Sequence, residues 1–207
     1  VSGTTVPAET PGTRNAEWLA KNDGFVQGGT FSQIGGEEEH TTNLELFLKK
    51  GYKLEQNTTG TYGVVVDPDY GMVAKIGETR YATLAAAFAA AAQTEELTTI
   101  ELLPVIIEEG TVQLPATLKN VIVKGADNNT SILKNLTIQN AQGGTYDMSN
   151  ITFDGVVFDN SNIVLTGWRT GFESLKNLIV KNCIFSNIVR SSTNLAAVHI
   201  NVAADKA

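Results

Sequence analysis

Sulfur and imidazole are scarce in this sequence. Its 207 residues include one cysteine, Cys183, and two histidines, His40 and His199. A single cysteine excludes an internal disulfide and a zinc site built from several thiolates. Two histidines offer little imidazole for catalysis, and no serine–histidine–aspartate or cysteine–histidine triad is recognisable. Cys183 lies among apolar neighbours, which favours a buried structural thiol.

Basic residues and long apolar runs are also few. The 15 Lys and Arg residues are outnumbered by 22 Asp and Glu residues, which gives a formal net charge of −7. Binding to nucleic acid or to an anionic membrane surface needs a basic cluster, and none is present. The longest apolar run, residues 82–92, is about half of the ~20 residues that span a bilayer. No signal peptide, phosphate-binding loop or dinucleotide fingerprint is recognisable.

Apolar and corner-forming residues are plentiful. The sequence is 42% hydrophobic with 19 glycines, enough for the core of one domain, or of one domain with a small appendage. Of its 17 asparagines, 13 lie between Asn120 and Asn201. Asn and Gly tolerate left-handed backbone conformations, so they suit tight corners between strands. The C-terminal half is therefore predicted to be rich in such corners.

An internal repeat organises that half. Its pattern is apolar, polar, Asn, three mostly apolar residues, polar, then Gly or Asn, and it occurs at residues 118–125, 133–140, 148–155 and 175–182. The repeated asparagines are 15, 15 and 27 residues apart, and a shorter Asn-closed motif occurs at residues 156–160 and 183–187. The unequal spacing excludes a strict repeat code. It predicts short strands in coils that are joined by loops of unequal length.

A short helix is predicted immediately before the repeats. Thr83 suits the N-cap, and Leu84, Ala87, Phe88 and Ala91 fall on one face of an alanine-rich helix. We expect this helix to cover the open end of the coils. An ordinary packed surface helix is the alternative. Three parts are predicted: an extended segment (residues 1–23), a small β-rich module with a strand, a short helix and a hairpin (24–72), and the helix-capped coils (73–207).

These pieces, in this order, resemble a known family. The stretches GGTFS (28–32), GYKLEQNTTGTYGVV (51–65) and VAKIGETRYATLAAAFAAA (73–91) and the Asn-closed strands resemble repetitive cell-surface proteins of gut anaerobes. The resemblance implies a mostly β fold, with a small β module before a right-handed parallel β-helix of the pectin-lyase-like class, capped by a short α-helix. It implies a secreted or cell-surface location, and either one unit of a longer array or a subunit whose open ends meet neighbours, and it identifies no reaction.

Enzymes of that fold class act on acidic polysaccharides through clustered aspartates, joined in the lyases by calcium and a basic residue. The residues that would carry such chemistry here are Asp154, Asp159, Lys181 and Arg190. The motifs typical of those enzymes are absent, which favours solvated corner carboxylates at Asp154 and Asp159 over catalytic ones. Candidate ligand contacts are instead Trp168, Arg169 and Phe172 in the longest interval between repeats, with Tyr146 as a companion, because aromatic faces stack on sugars and Arg binds carboxylates. Packing of Trp168 back onto the coils is the alternative.

No metal site and no cofactor are expected. Asp67 with Asp69, Asp127 and the run 37–40 (EEEH) offer oxygen ligands, but none supplies the six to eight that calcium needs, so calcium stays a minor alternative to turns. The resemblance, together with the acidic charge and the lack of a catalytic constellation, implies a non-catalytic bacterial surface or secreted module, a scaffold or adhesin whose partner is a polysaccharide or another surface protein. A polysaccharide lyase or hydrolase, and a filament or surface-layer subunit that associates end to end, are the alternatives. Neither a nucleic-acid partner nor a transmembrane segment is expected.

Overall fold

The structure is a computed structural model, and it describes residues 24–32, 44–140, 145–166, 171–189 and 196–201. The chain divides into two compact units, residues 1–71 and 72–207. Within the described residues the fold is mostly β, with one α-helix and sheets of parallel strands. This confirms the predicted mostly β class. The predicted division into three parts, with boundaries after residues 23 and 72, stays a prediction.

The first unit contains a three-stranded antiparallel sheet. Its strands are β1 (Thr30–Phe31), β2 (Tyr52–Gln56) and β3 (Tyr62–Val66), in the order β1-β3-β2. The predicted hairpin joins β2 to β3, and the Asn57 side chain organises its turn by accepting hydrogen bonds from the backbone N–H of Thr59 and Thr61. The predicted short helix is a single 3-10 turn, Leu44–Phe47.

The second unit contains three sheets. The first comprises β4 (Ala74–Ile76), β5 (Thr79–Tyr81), β6 (Thr98–Leu102), β9 (Lys119–Lys124), β12 (Thr145–Asp154) and β15 (Gly171–Lys181). The second comprises β7 (Ile106–Ile107), β10 (Ile132–Lys134), β13 (Val157–Asp159) and β16 (Ile184–Ser186). The third comprises β8 (Thr111–Leu114), β11 (Thr137–Asn140), β14 (Asn162–Thr166) and β17 (Val198–Asn201). From β6 onward all strand pairs are parallel, whereas β4 pairs antiparallel with β5 and β6.

The chain visits these three sheets in a fixed order. Each pass places one strand in the first sheet, the next in the second and the next in the third, and four passes run from β6 to β17. Buried side chains of all three sheets belong to one core cluster. Residues in register stack on one another, as Phe158 and Phe185 do with ring centroids 4.6 Å apart. The alternation of buried and exposed residues in the strands therefore serves a shared interior.

Asparagine in the left-handed conformation makes the corners, as the sequence predicts. Every non-glycine residue with positive φ in the described part of the chain is an asparagine. The asparagines of the repeat lie at two kinds of corner. Those inside strands of the first sheet, where they bend the strand, are Asn120, Asn150 and Asn177. Asn135 instead follows a strand of the second sheet. Successive asparagines of the first kind are 30 and 27 residues apart, so one full pass, and not 15 residues, is the structural repeat.

Side-chain hydrogen bonds join equivalent corners of successive passes. Asn150 Nδ2 donates to Asn120 Oδ1 (2.7 Å), and Asn177 Nδ2 donates to Asn150 Oδ1 (2.8 Å). A second ladder follows the strands of the second sheet, where Asn160 Nδ2 donates to Asn135 Oδ1 (2.8 Å). Because each amide both donates and accepts, one residue type can continue the ladder from pass to pass.

The predicted helix, α1 (Leu84–Ala91), is present. Thr83 caps it by accepting a hydrogen bond from Ala86 N (3.1 Å), and the four residues predicted on one face, Leu84, Ala87, Phe88 and Ala91, are the buried ones. The helix contacts β4, β5, β6 and β8. Glu109, which lies between β7 and β8, accepts hydrogen bonds from Leu84 N and Ala85 N, so a carboxylate stabilises the positive end of the helix dipole.

Gly125 is required by a close approach between two passes. Its N–H donates to Asp154 O (2.8 Å), and a Cβ at this position would lie 1.9 Å from Gly155 O. We expect Gly125→Ala to lower the free energy of unfolding by about 3 kcal/mol, because backbone must move to admit the methyl group. Gly110→Ala is the matched control, with φ +69° and open space, and should cost only about 1–2 kcal/mol. Urea denaturation of both variants measures the difference; equal losses would contradict the steric account.

The asparagine ladder should contribute to stability beyond its backbone conformation. Asn150→Gly keeps the left-handed corner but removes one donated and one accepted hydrogen bond, so we expect a loss of about 1 kcal/mol. Asn128→Gly is the control, because Asn128 has φ 59° and no side-chain hydrogen bond within the described ranges. It should change the free energy of unfolding by less than about 0.5 kcal/mol. A loss of the same size in both variants would assign the effect to glycine itself.

Candidate functional site

A row of alternating charges crosses the first sheet of the second unit. Strand register places Lys75 beside Glu101, Glu101 beside Lys124, Lys124 beside Asp154 and Asp154 beside Lys181. We name these five residues the charge ladder. Lys75 Nζ lies 2.9 Å from Glu101 Oε2, and Lys181 Nζ lies 3.2 Å from Asp154 Oδ2. Each charge thus has opposite charges on the neighbouring strands, which favours this register.

Asp154 is the most constrained carboxylate of the ladder. Its Oδ1 accepts a hydrogen bond from Asn182 Nδ2 (2.8 Å), and its Oδ2 forms the ion pair with Lys181. The hydrogen bond from Asn182 lowers the pKa of Asp154, and Lys181 and Lys124 lower it further. A general acid at neutral pH needs a raised carboxyl pKa, so this environment suits a permanently ionised structural carboxylate.

Asp159 is held in a similar way on a different sheet. It lies in β13, and its Oδ1 accepts hydrogen bonds from Asn187 Nδ2 (2.6 Å) and Ser186 Oγ (3.3 Å). Of the residues that the enzyme hypothesis requires, the structure brings Asp154 and Lys181 together as strand neighbours, and Asp159 has separate partners. Arg190 lies outside the described residues.

The candidate ligand contacts are only partly within the described residues. Trp168 and Arg169 lie outside them, and so does the Phe172 side chain, although the backbone of Phe172 pairs with Tyr146 between β12 and β15. Tyr146 is 3% exposed and belongs to the core cluster. Its ring is buried in the core, as is the Met148 side chain two residues later, because side chains alternate along a strand. The expectation of a surface contact at Tyr146 is therefore corrected to a core position.

A cleft of 270 Å³ lies where the charge ladder begins. Its walls are formed by Lys75, Glu101, Leu102, Leu103, Pro104, Lys124, Gly125, Ala126 and Asp127. Its volume is slightly below the ~300–1,000 Å³ usual for small-molecule sites, and the Lys75–Glu101 ion pair occupies part of its polar surface. Nothing in the sequence signals this cleft, because its walls come from segments that only the strand register brings together.

The candidate calcium ligands form turns. Asp67 Oδ1 accepts a hydrogen bond from Asp69 N (3.1 Å), and Asp127 begins the short 3-10 segment Asp127–Asn129. Residues 37–40 lie outside the described ranges, and within those ranges no group of three His, Cys, Asp or Glu side chains could hold a metal ion. Cys183 is half-buried, and burial raises the pKa of its thiol, as is typical of an unreactive cysteine.

Comparisons with protein-family models, with curated proteins and with solved structures found no match for this chain. In the described part of the chain, no helix is long and apolar enough to cross a membrane. The family resemblance, and the surface or secreted location that it implies, therefore stay predictions.

The lowered pKa of Asp154 predicts a pH-dependent contribution to stability. A carboxyl whose pKa is lower in the folded state stabilises the fold above its unfolded pKa of about 3.9, and this contribution disappears as the pH falls through the folded pKa. We expect Asp154→Asn to be less stable than the wild type near pH 7, with the two curves converging in strong acid.

Urea denaturation of both proteins from about pH 7 to pH 2 tests this expectation. Asp127→Asn is the control variant, because the Asp127 carboxylate has no ion pair or side-chain hydrogen bond among the described residues, and it should leave stability at neutral pH almost unchanged. A gap between wild type and Asp154→Asn that persisted at the lowest pH would contradict the assigned role of the charge.

Proposed function

We propose that the second unit is a right-handed parallel β-helix in which each pass through the three sheets is one coil, with α1 as the cap of the first coil. The fixed order of visits, the parallel pairing from β6 to β17 and the common core support this architecture. The right hand is the one that connections between parallel strands strongly prefer. The antiparallel pair β4–β5 and the helix close one end, because they replace a preceding coil.

On this architecture we propose a non-catalytic scaffold module of a secreted or cell-surface bacterial protein. One observation carries the proposal: both candidate catalytic carboxylates are engaged in contacts between successive passes. Asp154 is bound by Asn182 and Lys181, and Asp159 is bound by Asn187 and Ser186. A lyase or hydrolase needs a carboxylate or base that is free to move a proton of the substrate. These two carboxylates instead join successive passes of the chain.

The scaffold acts through its outer faces. Along the second sheet, Ile106, Ile132, Val157 and Ile184 are in register and alternate with inward-facing residues, so an aliphatic row runs from pass to pass. Ile106 and Ile184 are 57% and 45% exposed. Flanking ion pairs such as Lys134 Nζ–Glu108 Oε1 (3.3 Å) keep this face partly polar. A stiff stack with such faces suits the presentation of loops and the contact of partner macromolecules.

A depolymerisation assay tests the proposal. The whole chain is incubated with acidic and neutral polysaccharides, with calcium and with chelator, and new unsaturated and reducing ends are measured. We expect none. Asp159→Ala should lower the free energy of unfolding by about 1 kcal/mol through loss of the hydrogen bonds from Asn187 and Ser186.

Two outcomes of this assay separate the hypotheses. Release of new ends by the wild type, lost in Asp159→Ala or Asp154→Ala, would overturn the scaffold and establish a polysaccharide-cleaving enzyme. Retention on an immobilised polysaccharide without cleavage would support the adhesive form of the scaffold. Trp168→Ala would then be compared with the wild type, because Trp168 is the strongest aromatic candidate in the sequence for a sugar contact.

A further inference from the structure

The corner between the first and second sheets of the second unit differs in length from pass to pass. The connection from β6 to β7 has three residues (103–105), and the connections from β12 to β13 and from β15 to β16 have two each (155–156 and 182–183). The connection from β9 to β10 has seven, residues 125–131, which we name the corner loop. Residues inserted into one pass of a stack often form its binding face.

Hydrogen bonds fix the corner loop to the preceding pass. Ser131 is fully buried, and its Oγ donates to Leu103 O (2.9 Å) and accepts a hydrogen bond from Ala126 N (2.8 Å). Within the loop, Thr130 Oγ1 donates to Asp127 O (2.8 Å). The corner loop forms one wall of the 270 Å³ cleft at the start of the charge ladder. That wall is therefore preformed, as is usual in small-molecule sites.

Backbone donors in the cleft walls are already used. The N–H groups of Leu103, Gly125 and Ala126 donate to other protein atoms at 2.8–2.9 Å. These three groups therefore cannot form the nest of N–H donors that binds a phosphate. An anionic group of a ligand would have to be held by a lysine side chain.

Two charged side chains of the cleft are available to a ligand, Lys124 and Asp127, and both are exposed. Strand register gives Lys124 two acidic neighbours, Glu101 and Asp154, but each of these forms its ion pair with an outer lysine of the charge ladder. Within the part of the chain that the structure describes, no carboxylate oxygen lies within 4.0 Å of Lys124 Nζ, and no basic nitrogen lies that close to the Asp127 carboxylate.

The rest of the cleft limits the size and the polarity of an occupant. Leu102, Leu103 and Pro104 supply an apolar wall. The volume of 270 Å³ is below the ~300–1,000 Å³ of sites for drug-sized ligands, so the occupant is a small molecule. An occupant that matches all the walls carries a carboxylate, an ammonium group and a short hydrocarbon group.

We infer that this cleft binds a free α-amino acid with an aliphatic side chain. The carboxylate of the amino acid pairs with Lys124, its ammonium group pairs with Asp127, and its side chain lies against Leu102 and Pro104. A neutral sugar would leave both charges of the cleft without a partner, and an acidic sugar would bring a second carboxylate close to Asp127. Such a site is additional to the scaffold function and does not depend on it.

A titration with three related ligands tests the inference. The whole chain, labelled with ¹⁵N, is titrated at neutral pH with L-leucine, and the amide chemical shifts are measured. We expect saturable changes at residues 101–104 and 124–127, with a Kd of about 1 mM. L-Leucinamide lacks the carboxylate and 4-methylpentanoate lacks the ammonium group, so each should bind about fivefold more weakly.

Protein variants then assign each charge to its partner. Lys124→Gln should weaken L-leucine by about fivefold and leave the affinity for L-leucinamide unchanged, because that ligand has no carboxylate to lose a partner. Asp127→Asn should weaken L-leucine similarly and leave 4-methylpentanoate unchanged. A general disturbance of the fold would weaken all ligands alike. Lys134→Gln is the matched control, because Lys134 pairs with Glu108 and is not a wall of the cleft, and it should bind L-leucine as the wild type does.

Four outcomes would overturn the inference. They are no saturable change up to about 20 mM L-leucine, changes confined to residues outside the cleft, equal affinity for the three ligands, and tighter binding of D-glucose or D-glucuronate than of L-leucine. The last outcome would assign the cleft to a sugar. The depolymerisation assay is independent of all four, so a failure here leaves the scaffold proposal standing.

Discussion

The second unit depends on asparagine held in the left-handed backbone conformation at its corners. That conformation costs an ordinary side chain about 1–2 kcal/mol, and asparagine tolerates it better than most because its short amide can hydrogen-bond locally. At Asn120, Asn150 and Asn177 the amide does more, because it bonds to the equivalent corner of a neighbouring pass. One residue type thus turns the chain and keeps successive passes in register.

Strand register then determines which neighbours every other side chain has. Because the passes align position by position, inward residues such as Leu133 and Phe158 stack within the core. The outward residues form rows of their own, and the sign of each charge is complemented across the strand gap, as between Glu101 and Lys124. Exposed pairs of this kind contribute little free energy one by one. Their larger effect is on specificity, because a slip of one residue would misplace the charges, the corners and the core residues together.

The sequence predicts the local parts of this structure well. The buried face of α1, its Thr83 cap and the left-handed asparagines all follow from residue type and short spacing, and all are present. The charge ladder could not be predicted in this way, since its neighbours from Glu101 onward are more than 20 residues apart and their pairing depends on register. The prediction of a surface contact at Tyr146 was wrong for the same reason. This aromatic residue lies beside a loop in the sequence, and its inward direction depends on where its strand begins.

The chemical role that a carboxylate can have in this unit depends on the side chains that the next pass places beside it. In the sequence Asp154 and Asp159 are two acidic residues five positions apart, a pattern that is compatible with acid–base catalysis but favours a solvated corner. In the folded chain each receives an asparagine amide from the pass that follows, through Asn182 and Asn187. At Asp154 the hydrogen bond from Asn182 and the nearby lysines lower the pKa of the carboxyl, which disfavours its protonation during a reaction. The periodicity that builds the stack therefore also determines which partners these two carboxylates meet.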